Sequence, residues 1–283
     1  MEIQSLSICV PAGCPNNCHF CVSRLHANDY PNRTGHRADV DFMNRLEYAR
    51  DNGVPCAILT GTGEPITNMK FINFFAGVNR SLDRPFRHIE LQTSGVTLST
   101  GKLEELRDLG IQTISLSLSS LISDENALYN RTPVKWQFEI AELCHQIKSC
   151  GFNLRLSLNM TDAFCGFPPK SIFNIAKSKF KADQVTFRIL YQSPGRDLPQ
   201  DKWIDEHRAP DKVTTAIDNY ILAMGTPLHR LSFGAMKYDV DGISTVVDSD
   251  CMNTEAKDTL KYLILREDCR LYTHWDKKGS LVY

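Results

Sequence analysis

Three features of the sequence predict an α/β protein, a partial, open (β/α)6 barrel of TIM type with a β-rich C-terminal extension. Short runs of Ile, Val and Leu recur six times, and amphipathic segments lie between them. Six such units fall short of the eight that close a TIM barrel. Beyond Leu228 the pattern changes to strands joined by a tight turn.

The strands are read at Leu6–Val10, Cys56–Thr60, His88–Thr93, Thr113–Leu118, Phe152–Leu158 and Val185–Leu190. Phe42, Leu46 and Ala49 fall at helical spacing ahead of Gly53, as do Trp136, Ile140, Leu143 and Ile147 ahead of Gly151. Each glycine stands where a helix ends in a left-handed residue. Pro168 and Pro169 open a further helix, where a missing backbone N–H is tolerated. Near the C-terminus, Tyr238–Val240, Asp241-Gly242 and Ile243–Val247 form a hairpin signal. Leu260–Arg266 and Arg270–Trp275 read as another strand pair. The chain therefore divides into a barrel over 1–227 and an extension over 228–283, which is expected to pack on the barrel and cap it.

Composition narrows the function. With 42% hydrophobic and 23% charged residues, the 283-residue chain can bury a large core and is not of the disordered class. Lys and Arg number 32 against 33 Asp and Glu, so the net charge of −1 provides no global attraction for nucleic acid or anionic membrane. No run approaches the roughly 18 apolar residues of a membrane span. Glu2 stands where a signal peptide would be basic, and the first Lys or Arg is Arg24, so a cytoplasmic location is expected.

In a reducing compartment the ten cysteines read first as metal ligands. Cys14, Cys18 and Cys21 lie at x3 and x2 spacing in the loop after the first strand. Three thiolates, where a structural site takes four ligands, leave a coordination position open for chemistry. A zinc knuckle completed by His19 or His26 is the alternative. At the end of the second strand stands Gly61-Thr62-Gly63-Glu64-Pro65. Its glycines allow backbone to approach a ligand, and the Glu64 carboxylate can accept hydrogen bonds from an ammonium group.

The CxxxCxxC spacing, the aromatic Phe20 before the last cysteine and the Gly-Glu-Pro turn together resemble the radical S-adenosylmethionine (radical SAM) superfamily. The match departs at Thr62, where Gly is commoner. The resemblance implies one 4Fe–4S cluster on Cys14, Cys18 and Cys21, with SAM chelating the unique iron. It implies reductive cleavage of SAM to methionine and a 5′-deoxyadenosyl radical that abstracts hydrogen from substrate. An external one-electron reductant of flavodoxin or ferredoxin type is implied as partner. Gly61, Thr62, Gly63 and Glu64 would hold the SAM amino group, and Phe20 would shield the cluster and offer backbone to adenine. By position in the barrel, Ser94 and Ser117 are candidates for the SAM carboxylate and ribose. Arg155 and Arg188, in the fifth and sixth strands, are candidates to pair with that carboxylate.

Of the other cysteines, Cys9, Cys56, Cys144 and Cys150 read as buried apolar residues. Cys165, Cys251 and Cys269 are too scattered for a second cluster, and Cys251 is a candidate hydrogen donor. Tyr272, His274, Trp275 and Tyr283 either line a substrate pocket or pack one face of a small sheet. Residues Arg24 to Arg33, with His26, Asn28 and Tyr30, form either a lid or a solvated loop. The expected substrate is a small metabolite or a nucleotide-like molecule. Peptide or protein modification, including glycyl-radical activation, is the second reading, and a non-catalytic iron–sulfur or zinc module is the reading from another class. Nothing in the charge pattern favours RNA.

Overall fold

The computed structural model describes residues 2–25, 29–192, 198–231, 234–248, 255–256 and 259–283. The candidate hydrogen donor Cys251, and His26 and Asn28 of the candidate lid, lie outside them.

The six barrel strands are β1 (Glu2–Cys9), β2 (Cys56–Thr60), β3 (His88–Thr93), β4 (Thr113–Leu118), β5 (Asn153–Asn159) and β6 (Gln184–Arg188). They pair in sequence order and in parallel, as right-handed βα crossovers require. Successive side chains along each strand point to opposite faces of the sheet. Leu6, Leu59, Leu91, Leu116 and Leu156 are fully buried toward the helices, whereas Ser7, Glu90, Ser115, Arg155 and Arg188 occupy the other parity and face the barrel interior.

The outer layer is α1 (His36–Asp51), α2 (Met69–Ser81), α3 (Thr100–Asp108), α4 (Ser123–Asn130), α5 (Ile140–Ser149), α6 (Pro169–Asn174), α7 (Pro199–His207) and α8 (Asp211–Met224). Helix α1 buries Ala38, Phe42, Leu46 and Ala49, the spacing read from the sequence, and Gly53 follows it at φ +78°. Helix α2 starts where the Asn68 side chain accepts from Phe71 N–H at 3.2 Å. The stripe on α5 is shorter than expected, because Trp136 lies in a separate 3-10 turn and is partly exposed.

The extension departs from its expected place. Its strands are β7 (Thr226–Arg230), β8 (Met236–Val240), β9 (Ile243–Asp248), β10 (Glu255–Ala256), β11 (Thr259–Leu265) and β12 (Leu271–Tyr272). Strand β9 runs parallel beside β6 with Arg188 opposite Asp248, and β11 runs parallel beside β1 with Ser5 opposite Tyr262. The extension thus continues the barrel sheet at both edges rather than lying across it as a cap, and the boundary drawn at 227/228 falls inside β7. Pairing with β11 also explains why β1 begins at Glu2, ahead of the apolar run. The Asp241-Gly242 turn is the expected hairpin, with both residues at positive φ. The sheet remains open. No helix among the described residues is long and apolar enough to cross a membrane.

Candidate active site

The three thiols follow β1 directly, in a loop fastened to three parts of the barrel. Asn16 Nδ2 donates to Ser94 Oγ at 3.1 Å, beyond β3. Asn17 N–H donates to the Asn130 carbonyl at 3.1 Å, and Cys18 Sγ lies 3.4 Å from the same oxygen. Asn130 closes α4, and its side chain belongs to a buried network in which Ser119 Oγ donates to Asn130 Oδ1 and Asn130 Nδ2 donates to Asn126 Oδ1. From α7, Gln200 Nε2 donates to the Phe20 carbonyl, and Trp203 stacks on His19 and lies against Phe20, with centroids 5.4 and 5.6 Å away. Phe20 is therefore half-buried against Trp203.

Cys14 is exposed and Cys18 and Cys21 are partly exposed, whereas Cys9, Cys144, Cys150 and Cys269 are buried. Burial pushes the thiols of Cys9 and Cys144 up to about 12, which keeps them protonated and poor as ligands. Among the described residues no three His, Cys, Asp or Glu side chains converge as ligands of a single ion. A 4Fe–4S cluster gives each thiolate its own iron, and three accessible thiols on one braced loop fit that demand.

The glycine-rich turn packs directly on this loop. A Cβ at Gly61 would stand 2.5 Å from the Val10 carbonyl oxygen, and one at Gly63 would stand 2.0 Å from that of Ala12. Only glycine permits this approach. Glu64 N–H donates to the Gly13 carbonyl at 2.9 Å, and Ser23 Oγ donates to the Gly61 carbonyl at 3.0 Å. The two motifs form one backbone unit.

Glu64 is engaged from several sides. Its carboxylate is buried and accepts from Thr93 Oγ1 at 2.6 Å, from Ser94 N–H at 2.8 Å, from Ser94 Oγ at 2.6 Å and from Ile66 N–H at 3.5 Å. With these four donors the side chain braces β2 against β3. Burial still raises its pKa, against the opposing pull of the Ser94 and Thr93 hydrogen bonds. Ser94 is likewise engaged, between Glu64 and Asn16.

A cavity of about 200 Å³ opens beside Gly61 and Thr62, lined also by Arg188, Gln92, Arg266 and Trp275. Arg188 thus meets the glycine turn. Arg155 does not: in the lower half of the barrel it pairs with Glu90 at 2.5 Å and donates to Gln184 Oε1 at 2.9 Å. Ser117 is half-buried on the interior face of β4.

The C-terminal aromatics separate. Trp275 faces the cavity, Tyr272 is buried against Tyr30, and Tyr283 packs on Tyr48 and under Arg45 outside the barrel. Tyr30 and Arg33 of the candidate lid are anchored, Tyr30 in that apolar cluster and Arg33 through its N–H to the Glu267 carbonyl. The sequence reading missed Trp203, Asn130 and the segment Arg266–Asp268. Arg266 is buried between the rings of Tyr30 and Trp275, at 4.2 and 5.1 Å, and Thr62 Oγ1 donates to Glu267 Oε1 at 2.9 Å. No local pattern marks these residues, although the buried run Leu263–Leu265 placed a charged segment at a strand end.

The site is thus a parallel open barrel with three thiols after β1, braced to a glycine turn after β2. The family model described as the radical SAM superfamily matches residues 8–178, more than half of the chain, and the chain belongs to that superfamily. Its cofactors are accordingly a 4Fe–4S cluster and SAM.

Among solved structures, SuiB of Streptococcus suis bound to S-adenosylmethionine superposes with a TM-score of 0.65 at 14% identity. The match covers 99% of this chain and 63% of that one, so the chain spans about three-fifths of SuiB. The anSMEcpe structure with bound AdoMet and Cp18Cys peptide gives a TM-score of 0.64 at 14% identity, covering 98% and 75% of the two chains. HydG, a maturase of the [FeFe]-hydrogenase, gives 0.56 at 14%, covering 89% and 57%. At these identities the likeness is one of fold. No protein of curated description matches.

Proposed function

We propose that the chain generates a substrate radical inside its barrel, with Cys14, Cys18 and Cys21 holding the cluster and Gly61–Gly63 and Arg188 holding SAM. When bound, the cluster and SAM supply one-electron cleavage and a hydrogen-abstracting group. The chain supplies position and exclusion of water. With the Glu64 carboxylate engaged elsewhere, the exposed backbone of the glycine turn is the acceptor for the SAM ammonium, and Arg188 is the cation for its carboxylate.

The observation that carries this reading is continuity. Arg188 and Tyr262 line both the mouth cavity and a second cavity of about 370 Å³ that runs from there through the barrel toward the first residues of the strands, Cys56, His88, Thr113 and Asn153. A small polar molecule held there would be reached from the glycine turn through the lining that the two cavities share. That volume is at the lower end of ordinary ligand sites, which favours a metabolite or nucleotide-like molecule. Peptide modification is the second reading, favoured by the peptides bound to SuiB and anSMEcpe. The reductant would be a flavodoxin or ferredoxin, and the compartment the cytoplasm.

The test is anaerobic reconstitution followed by SAM and dithionite. About four irons per chain and release of 5′-deoxyadenosine are expected, with both lost when Cys14, Cys18 and Cys21 are all replaced by Ala. Cleavage retained in that triple variant would overturn the assignment. A native protein that binds iron and never cleaves SAM would favour the non-catalytic module.

A further inference from the structure

The deeper cavity has a chemical bias that the motifs do not announce. Its described lining holds the acid Glu90 and the cations Arg155 and Lys237, together with Arg188 and Lys261, which are each engaged by other groups. Glu90 is already matched by Arg155. Lys237 enters from β8, on the side of the strand opposite Tyr238, which packs into the core. It is half-buried, with no acid within ion-pairing distance among the described residues. Burial, reinforced by the charge of Arg155, holds its ammonium below the usual lysine range. A half-buried ammonium beside an Arg155–Glu90 pair that is already balanced leaves this lining one positive charge for a negative group to meet. The surrounding lining, including Thr113, Asn153 and Ser244, offers neutral hydrogen-bonding side chains. The buried Ser115 hydroxyl on the interior face of β4 has no partner among the described residues.

We infer that this cavity binds the anionic group of a small substrate, a carboxylate or a phosphate, with Lys237 as its direct partner and the Glu90-paired Arg155 as its second cation. A partly buried ammonium makes a strong charge-assisted hydrogen bond to such a group, and the site is selective because a neutral molecule leaves the Lys237 charge uncompensated. The inference rests on the reading of the barrel interior as the substrate site and adds to it the class of substrate. It also gives the extension a part in recognition, since β8 supplies the lysine.

The experiment uses the anaerobically reconstituted protein with SAM bound, and calorimetric titration with glycerol 3-phosphate, succinate and glycerol. At least one anion should bind ten times or more as tightly as glycerol, and the better of the two identifies the group. Lys237→Met should weaken that anion at least tenfold, and Lys237→Arg should restore most of the binding. Iron content and circular dichroism are followed throughout. Should Lys237→Met lose its fold, Lys237→Gln takes its place. Equal binding of glycerol and both anions, or undiminished anion binding in the Met and Gln variants, would overturn the inference. A protein that selects the anion through Lys237 and cleaves no SAM would leave the anion site standing and remove the enzyme reading. One that cleaves SAM and ignores both anions would do the reverse.

Discussion

At the residue scale, Gly63 and Glu64 do different work within one turn. Gly63 is required by space. Gly63→Ala sets a methyl 2.0 Å from the Ala12 carbonyl oxygen, so the cluster loop must move. Overpacking of this kind costs about 1–3 kcal/mol, and because the atoms met are backbone of Ala12 and Gly13 it falls at the upper end. Iron retained after reconstitution should fall sharply, while Gly13→Ala, whose added methyl meets nothing within 4 Å, should behave as the native protein. Glu64 is required by hydrogen bonding. Glu64→Gln turns an amide donor against the Ser94 or Thr93 donors and leaves buried groups unmatched, at roughly 1–3 kcal/mol. The urea midpoint should drop, and SAM affinity should fall with it through the disturbed Ser94–Asn16 tie. A loss of SAM affinity with the midpoint unchanged would instead show direct contact between the carboxylate and SAM.

At the element scale, the extension is structural as well as functional. β11 fills the edge beside β1, and β12 folds back on it to bury Leu271 and Tyr272. Deleting residues 270–283 removes both side chains and the backbone bond from Leu271 N–H to the Tyr283 carbonyl. At about 1.5–3 kcal/mol for each buried side chain, roughly 3–6 kcal/mol of stability is lost. The truncated protein should unfold at markedly lower temperature by calorimetry, and a truncation that melts like the full chain would show the tail to be dispensable. The Thr62–Glu267 bond links the same segment to the SAM turn. Thr62, which departs from the commoner glycine of the family motif, thereby has a partner that a glycine would lack.

At the scale of the whole molecule, burial of Glu267 makes stability depend on pH. Burial lifts its carboxyl above the ordinary 4.5, outweighing the backbone and Thr62 hydrogen bonds and the Arg266 charge, which lower it. The folded chain therefore holds this proton more tightly than the unfolded chain. Its contribution is fully present below about pH 4.5 and is lost as pH rises through the higher folded value. Relative to Glu267→Gln, the native protein should lose urea resistance as pH is raised from that point toward neutrality. Parallel curves for the two proteins would show that the carboxyl carries no such linkage.

The sequence by itself determined the strands of the barrel and the identity of its two motifs, because both are local. Alternation places Leu6, Leu59 and Leu91 on one face whatever surrounds them, and the spacing of Cys14, Cys18 and Cys21 lies within eight residues. Tertiary structure alone decided where the extension pairs, what Glu64 touches and where Arg155 sits. Thr62 meets Glu267 across 205 residues, and Arg155 meets Glu90 across the barrel interior. Such contacts depend on strand register and on closure of the chain over long distances, so local patterning specifies the face of a side chain but not its partner. The polar bias of the interior was written in the alternate residues of each strand, yet it became a cavity with a charge only when β8 brought Lys237 to it.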